Sequence, residues 1–144
     1  MRTVDTTEYL SVLKELTEEG HEVRLKISGN SMAPFLIHNR DEVFFSKPNG
    51  VLKKGDIVLF QRENGQYIMH RIRKVRNEGY YIVGDNQTVV EGPVPRDKIF
   101  GLVTKVIRKG TEIAPGDFWW EFFRIIWIRM IPFRRLVTRL YARR

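Results

Sequence analysis

A mainly β fold, a small coiled antiparallel sheet or barrel with helical segments at both ends, is predicted by three features of the sequence. Short apolar runs of strand length follow one another between residues 21 and 109. Turn chemistry separates several of them, at Pro48-Asn49-Gly50, Glu63-Asn64-Gly65 and Asn77-Glu78-Gly79. No helix-length periodic segment lies between the runs, which disfavours a parallel α/β arrangement.

The first element is a short amphipathic helix over 6–19. Asp5 followed by Glu8 reads as a capping box, Tyr9, Val12, Leu13 and Leu16 fall at helical spacing, and Gly20 ends the pattern. Val23, Leu25 and Ile27 then alternate with Glu22, Arg24 and Lys26, the period of a half-buried strand, and Ser28-Gly29-Asn30 closes it with a turn. Ser31 is thereby expected just beyond a strand end. Further strands are predicted over 42–46, 56–61, 67–75, 80–83 and 99–107. The chain shows no internal repeat and no low-complexity tract.

After Gly110 the character changes. Phe118-Trp119-Trp120, Phe122-Phe123, Ile125-Ile126-Trp127-Ile128 and Met130-Ile131 make an aromatic, basic segment. The organisation expected is a β domain over 1–110 and a separate helical segment over 111–144.

A chain of 144 residues can bury a core without staples, and with no cysteine it has none to use. Disulfides, thiolate zinc sites and a cysteine nucleophile are excluded, and redox compartment becomes unreadable. The net charge of +8 is concentrated at the end. Beyond Phe118 there are seven arginines against the single acid Glu121, whereas residues 1–117 carry 18 basic and 16 acidic side chains. The body is near neutral and the tail is basic, which does not favour a nucleic-acid footprint on the β domain. Met1 to Gly20 holds six charged side chains from Asp5 onward and no apolar h-region, so neither a secretory signal nor a membrane span is expected there.

The chemistry lies in four boxes. Ser28-Gly29-Asn30-Ser31-Met32-Ala33-Pro34 resembles the S-G-x-S-M-x-P box that holds the nucleophile in the signal peptidase I superfamily. Lys54-Gly55-Asp56-Ile57-Val58 is similar to that superfamily's K-G-D-I-V strand start, and Tyr67-Ile68-Met69-His70-Arg71-Ile72 to the segment carrying the general base. Gly84-Asp85-Asn86 resembles the G-D-N box, and Phe100-Gly101-Leu102-Val103 the strand after it. The resemblance covers roughly residues 27–107, and four boxes in order are far more specific than one. It implies the superfamily's coiled β fold, self-cleaving repressor peptidases included, with His70 as base where bacterial type I enzymes have lysine. Histidine is the base of the endoplasmic-reticulum and archaeal types. The resemblance also implies small side chains before the scissile bond.

The residue chemistry agrees with these roles. A serine hydroxyl needs a base within hydrogen-bond reach and a donor for the oxyanion before it attacks a peptide carbonyl. Ser31 sits in an open Gly-Asn turn, its own N–H is one natural oxyanion donor, and the side chain of Asn30 or Ser28 is an accessory second. An imidazole with an ordinary pKa near ~6.5 suits proton transfer at neutral pH. By resemblance, Asp85 and a second acid six residues on, here Glu91, orient the histidine or shape the site. Asp85 ranks first, because Glu91 departs from the pattern by one methylene, and Asp97 is an outside candidate. His21 and His38 fall in no box and are expected to be solvated, while Gly55 and Asp56 read as turn chemistry. No cofactor or metal is implied.

From Phe118 to Phe133 the chain could rise only about 24 Å as a helix against a hydrocarbon core of ~30 Å. Each of Arg124 and Arg129 would add roughly 2.5 kcal/mol or more to insertion. Interfacial anchoring is therefore expected, ahead of a helix folded back on the sheet or paired with another protein, and of a true span. The expectation is a serine peptidase in peripheral contact with a membrane through 118–144, acting on a precursor or leader peptide. The side of the membrane, a cytoplasmic location and the oligomeric state stay open. The competing reading is a catalytically inactive module that binds anionic membrane or nucleic acid through the basic tail. A self-cleaving repressor is disfavoured, since such proteins use a lysine base and the residues before the first strand cannot hold a DNA-binding domain.

Overall fold

A computed structural model describes residues 6–127, with side chains from Tyr9 onward. The Asp5–Glu8 capping box and the tail beyond Trp127 lie outside the described residues. The order is α1 (Thr6–Glu18), β1 (Val23–Lys26), β2 (Glu42–Ser46), β3 (Ile57–Gln61), β4 (Tyr67–Arg76), β5 (Gly79–Val83), β6 (Glu91–Val94), a 3-10 turn (Arg96–Lys98), β7 (Ile99–Arg108), β8 (Thr111–Ile113) and α2 (Phe118–Glu121). A π-helical turn, Phe122–Ile126, continues α2.

The strands form one sheet in the order β1-β2-β7-β3-β4-β5-β6, with β8 added against β7. Every pairing is antiparallel and the path does not close, so the sheet is open rather than a barrel. Both faces are covered. On β3, Ile57 and Leu59 enter a large core with Phe35, Val43, Phe45 and Val106, while Val58 and Phe60 enter a smaller one with Leu52, Ile72, Ile82 and Ile99. A strand buried on both sides has no polar alternate positions, which accounts for the unbroken Ile-Val-Leu-Phe run.

Three sequence expectations change. In α1 the residues facing the sheet are Leu10, Leu13 and Thr17, whereas Tyr9, Val12 and Leu16 are exposed. Lys14 fixes the phase, its ammonium on Gln61 Oε1 at 3.0 Å and over the Phe100 ring, which turns the neighbouring residues inward. The boundary at Gly110 falls inside the β7–β8 hairpin, where Arg108 pairs with Thr111. The aromatic segment up to Trp127 is not separate either, because Trp120, Phe123 and Trp127 are buried in the large core. Phe35 receives Phe123 at 4.7 Å between ring centroids and Trp120 edge-on at 6.2 Å. Fold-back onto the sheet, the less favoured expectation, is what residues 118–127 do on one face.

Candidate active site

The loop after β1 is pinned from below. Met32, Phe35 and Leu36 are almost fully buried, Leu36 N–H donates to Met32 O at 2.9 Å, and Arg108 Nε donates to Phe35 O at 2.8 Å. Asp41, fully buried, accepts from Arg40, from Ile37 N–H and from Lys109 N–H. Burial pushes that carboxyl up, but the three donors outweigh it and hold it below the usual range. Above this base Ser28, Gly29 and Asn30 are exposed and Ser31 is half-buried. Ala33 N–H donates to Asn30 O, and Gly29 N–H donates to His38 Nδ1 at 2.8 Å. Gly29 has a φ of 88°, which glycine adopts freely. His38, exposed as expected, thus also braces the Ser31 loop, a contact between loop residues nine apart that no motif announces.

Ser31 meets the G-D-N box through its backbone. Asn86 N–H donates to Ser31 O at 2.9 Å, and a Cβ on Gly84 would stand 2.6 Å from that same oxygen. Only glycine lets the two segments approach this closely. Arg71 is in register with Val83, so Gly84 lies one step further, beside His70. The serine loop is thereby held by its backbone against the G-D-N box, just past the last β4–β5 pair. Among the described residues Ser31 Oγ makes no hydrogen bond, and Ser31 N–H donates to no acceptor.

Register then decides which acid faces the histidine. Cross-strand partners share a face of the sheet and successive residues alternate. Arg71 pairs with Val83, and Asp85 lies two residues on, so Asp85 belongs to the Arg71 face. Ile72 pairs with Ile82 and Ile82 with Glu91, which puts Glu91 on the His70 face. Arg62 reaches that face too, four residues beyond Val58, the partner of His70.

The side chains follow this parity. Asp85 accepts from Arg71 with both oxygens, Nε to Oδ1 at 2.8 Å and NH2 to Oδ2 at 2.9 Å, and NH1 of Arg71 donates to Gly55 O at 2.9 Å. Neither member of the pair is more than 1% exposed. Asp85, expected as the orienting acid, makes no hydrogen bond to His70 and is the counter-ion of Arg71 instead. Trp127 adds a 2.7 Å bond from Nε1–H to the Asp85 carbonyl, tying the aromatic segment to the box.

His70 is 4% exposed and its Nδ1 is buried without a hydrogen-bond partner. Glu91 Oε1 stands 3.9 Å from that nitrogen. The same carboxylate accepts from Arg62 at 2.7 and 3.0 Å. The acid ranked second in the sequence is thus the one that faces the histidine. Asp97 is exposed in the 3-10 turn and His21 lies 3.7 Å from Glu19. Gly55 and Asp56 serve the turn, with Lys53 N–H on Asp56 Oδ2, and a Cβ on Gly55 would collide with Arg124. Asn30 and Ser28 remain exposed beside Ser31. Among the described residues no cluster of His, Asp and Glu is suited to a metal ion.

Burial drives the His70 imidazole down to about 4, the Glu91 carboxylate opposing it and the Arg62 guanidinium adding to it. The imidazole is therefore neutral throughout the physiological range. Between about 4 and 6.5 the unfolded chain binds a proton at this site that the folded protein does not, so stability falls as pH falls through that window. Denaturant titrations from pH 7 to pH 4 are expected to show this loss in the parent. In His70→Gln that part of the loss should be absent, and an unchanged pH profile there would contradict the assignment.

A model of the family described as Peptidase S24-like matches residues 2–107. The chain belongs to the Peptidase S24-like family. No curated protein matches it. The fold is accordingly of the serine-peptidase type, and the family match spans the Ser31 loop, β4 with His70, the G-D-N box and β6 with Glu91. It ends at Ile107, so the aromatic segment that buries Trp120, Phe123 and Trp127 lies beyond the matched S24-like region.

Proposed function

We propose that the chain is a serine endopeptidase that cleaves a precursor or leader peptide. Ser31 Oγ attacks the scissile carbonyl while His70 Nε2 takes its proton. The oxyanion that forms is met by Ser31 N–H, assisted by Asn30 or Ser28. The tetrahedral adduct collapses to an acyl-serine as His70 returns the proton to the leaving amine, and water repeats the sequence to release the acid. Glu91 orients the imidazole through Nδ1, and small side chains are accepted before the scissile bond. The observation that carries this reading is the buried histidine with its Nδ1 3.9 Å from a carboxylate, in the same chain as a half-buried serine whose N–H is unspent and whose loop is bonded to the G-D-N box.

The test is labelling by a serine-reactive fluorophosphonate, with the modified peptide mapped. Adduct on Ser31, lost when the protein is denatured first, is expected. A native protein that takes up no label would favour the inactive module.

The second part of the proposal is peripheral membrane contact through 118–144. Phe118, Trp119, Ile125 and Ile126 are 70%, 44%, 40% and 50% exposed, an outward apolar face opposite the buried Trp120, Phe123 and Trp127. Six arginines follow in the sequence beyond Trp127. Aromatic rings beside arginines suit the boundary of anionic lipid. Among the described residues no helix is long and apolar enough to cross a membrane. Flotation with phosphatidylglycerol vesicles is expected for the full chain and should drop several-fold in Phe118→Ser/Ile126→Ser. Equal flotation of that variant would remove this face from the proposal, and binding to DNA in place of vesicles would replace the partner.

A further inference from the structure

We infer that Arg62 is a positioning residue that latches Glu91 away from His70, so that the resting protein holds its histidine without an orienting acid. This rests on the reading of His70 as the base of Ser31.

The geometry is a shared oxygen. Glu91 Oε1 accepts from Arg62 NH2 at 2.7 Å and stands 3.9 Å from His70 Nδ1, beyond hydrogen-bond range. Glu91 Oε2 accepts from Arg62 Nε at 3.0 Å, completing a two-pronged clamp. Arg62 is itself held by the β3–β4 turn, with NH1 on Gln66 Oε1 at 2.7 Å and its backbone N–H on Gln66 O at 2.8 Å. One guanidinium thus decides where the carboxylate points.

The energies on the two sides are close. Arg62 and Glu91 are 34% and 30% exposed, and solvent weakens the attraction of an ion pair at such a surface even where its geometry is two-pronged. The unpaired buried imidazole nitrogen draws the carboxylate the other way. Moving Glu91 from one partner to the other is therefore inexpensive, and any group that engages Arg62 tips the balance. The pair borders a cleft of about 200 Å³ lined by Phe60, Pro93, Val94 and Lys98, where a peptide carbonyl could supply such a group. The charged groups that act on His70 are Glu91 from β6, Arg62 from the end of β3 and Asp85 from the G-D-N box.

The experiment follows the His70 imidazole by NMR titration alongside the pH dependence of fluorophosphonate labelling. In Arg62→Met the freed carboxylate should bond Nδ1, and the His70 midpoint should rise by about one pH unit or more. Arg62→Gln repeats the measurement with a polar head, and Arg62→Lys, which keeps a cation, should stay close to the parent. Adding Glu91→Gln to Arg62→Met should remove most of the rise. A midpoint unmoved in both Arg62→Met and Arg62→Gln overturns the inference, as does a rise that survives Glu91→Gln. If the midpoints behave as expected but no form of the protein labels at any pH, the peptidase reading fails and the latch stands. If the parent labels and the midpoints do not move, the latch fails alone.

Discussion

Changing His70 to alanine is expected to slow acylation of Ser31 by about 10²–10⁴-fold, and changing Ser31 to alanine to abolish it. Ser31 is half-buried on a loop whose anchors are Met32, Phe35 and Leu36, so its replacement removes a hydroxyl and leaves the packing. His70 faces Phe60 in the smaller core, and His70→Gln is the control that keeps bulk while losing the base. A lysine at this position should not substitute for the histidine. The flexible four-carbon stem of a lysine does not place its nitrogen where the imidazole stands between Phe60 and Glu91. Labelling time courses and cleavage of a precursor peptide measure all four variants, with near-ultraviolet dichroism reporting the fold. Undiminished labelling in folded His70→Ala would sink the dyad.

The strands that could be read from the sequence were those with an unambiguous period and a turn at each end, such as Val23–Lys26 and Glu42–Ser46. Two strands carry no such signal. Glu91–Val94 contains Gly92 and Pro93, which ordinarily argue against a strand, yet it is the sheet edge, where a proline costs no ladder bond. Thr111–Ile113 is three residues long and exists because the end of β7 offers it a partner. In α1 two apolar stripes compete, and the sheet selects Leu10–Leu13–Thr17 through Lys14, a choice the helix alone cannot make.

The places of Ser31, just beyond a strand end, and of His70, within a strand, are legible because their boxes are local. The partner of His70 was not, since it depends on register. One residue of slip exchanges the faces on which Asp85 and Glu91 lie, and register is set by pairings spread over β4, β5 and β6. Arg71 went unassigned for the same reason. A buried arginine shows itself in a sequence only when its counter-ion is known, and that counter-ion is fourteen residues away.

Asp85→Ala is expected to destabilise the protein by about 3–5 kcal/mol, because it leaves the Arg71 guanidinium buried and unpaired. Activity would vanish with the fold, so that variant alone cannot say whether Asp85 orients His70 or only neutralises Arg71. The apolar pair Arg71→Met/Asp85→Leu separates the two. It removes both charges together, and the carbonyl of Gly55, which loses its donor, should leave it about 1–2 kcal/mol short of the parent. The backbone bonds that fix the site, Asn86 N–H to Ser31 O and Trp127 Nε1–H to Asp85 O, do not involve the replaced side chains. Denaturant midpoints should therefore recover most of the loss seen in Asp85→Ala, and Ser31 labelling should recover with them. A double variant that folds but labels at a hundredth of the parental rate would return Asp85 to the catalytic set. Recovery of both quantities would leave Glu91 as the carboxylate that serves the histidine, with the buried pair acting as the pin that holds β4, the G-D-N box and the serine loop together.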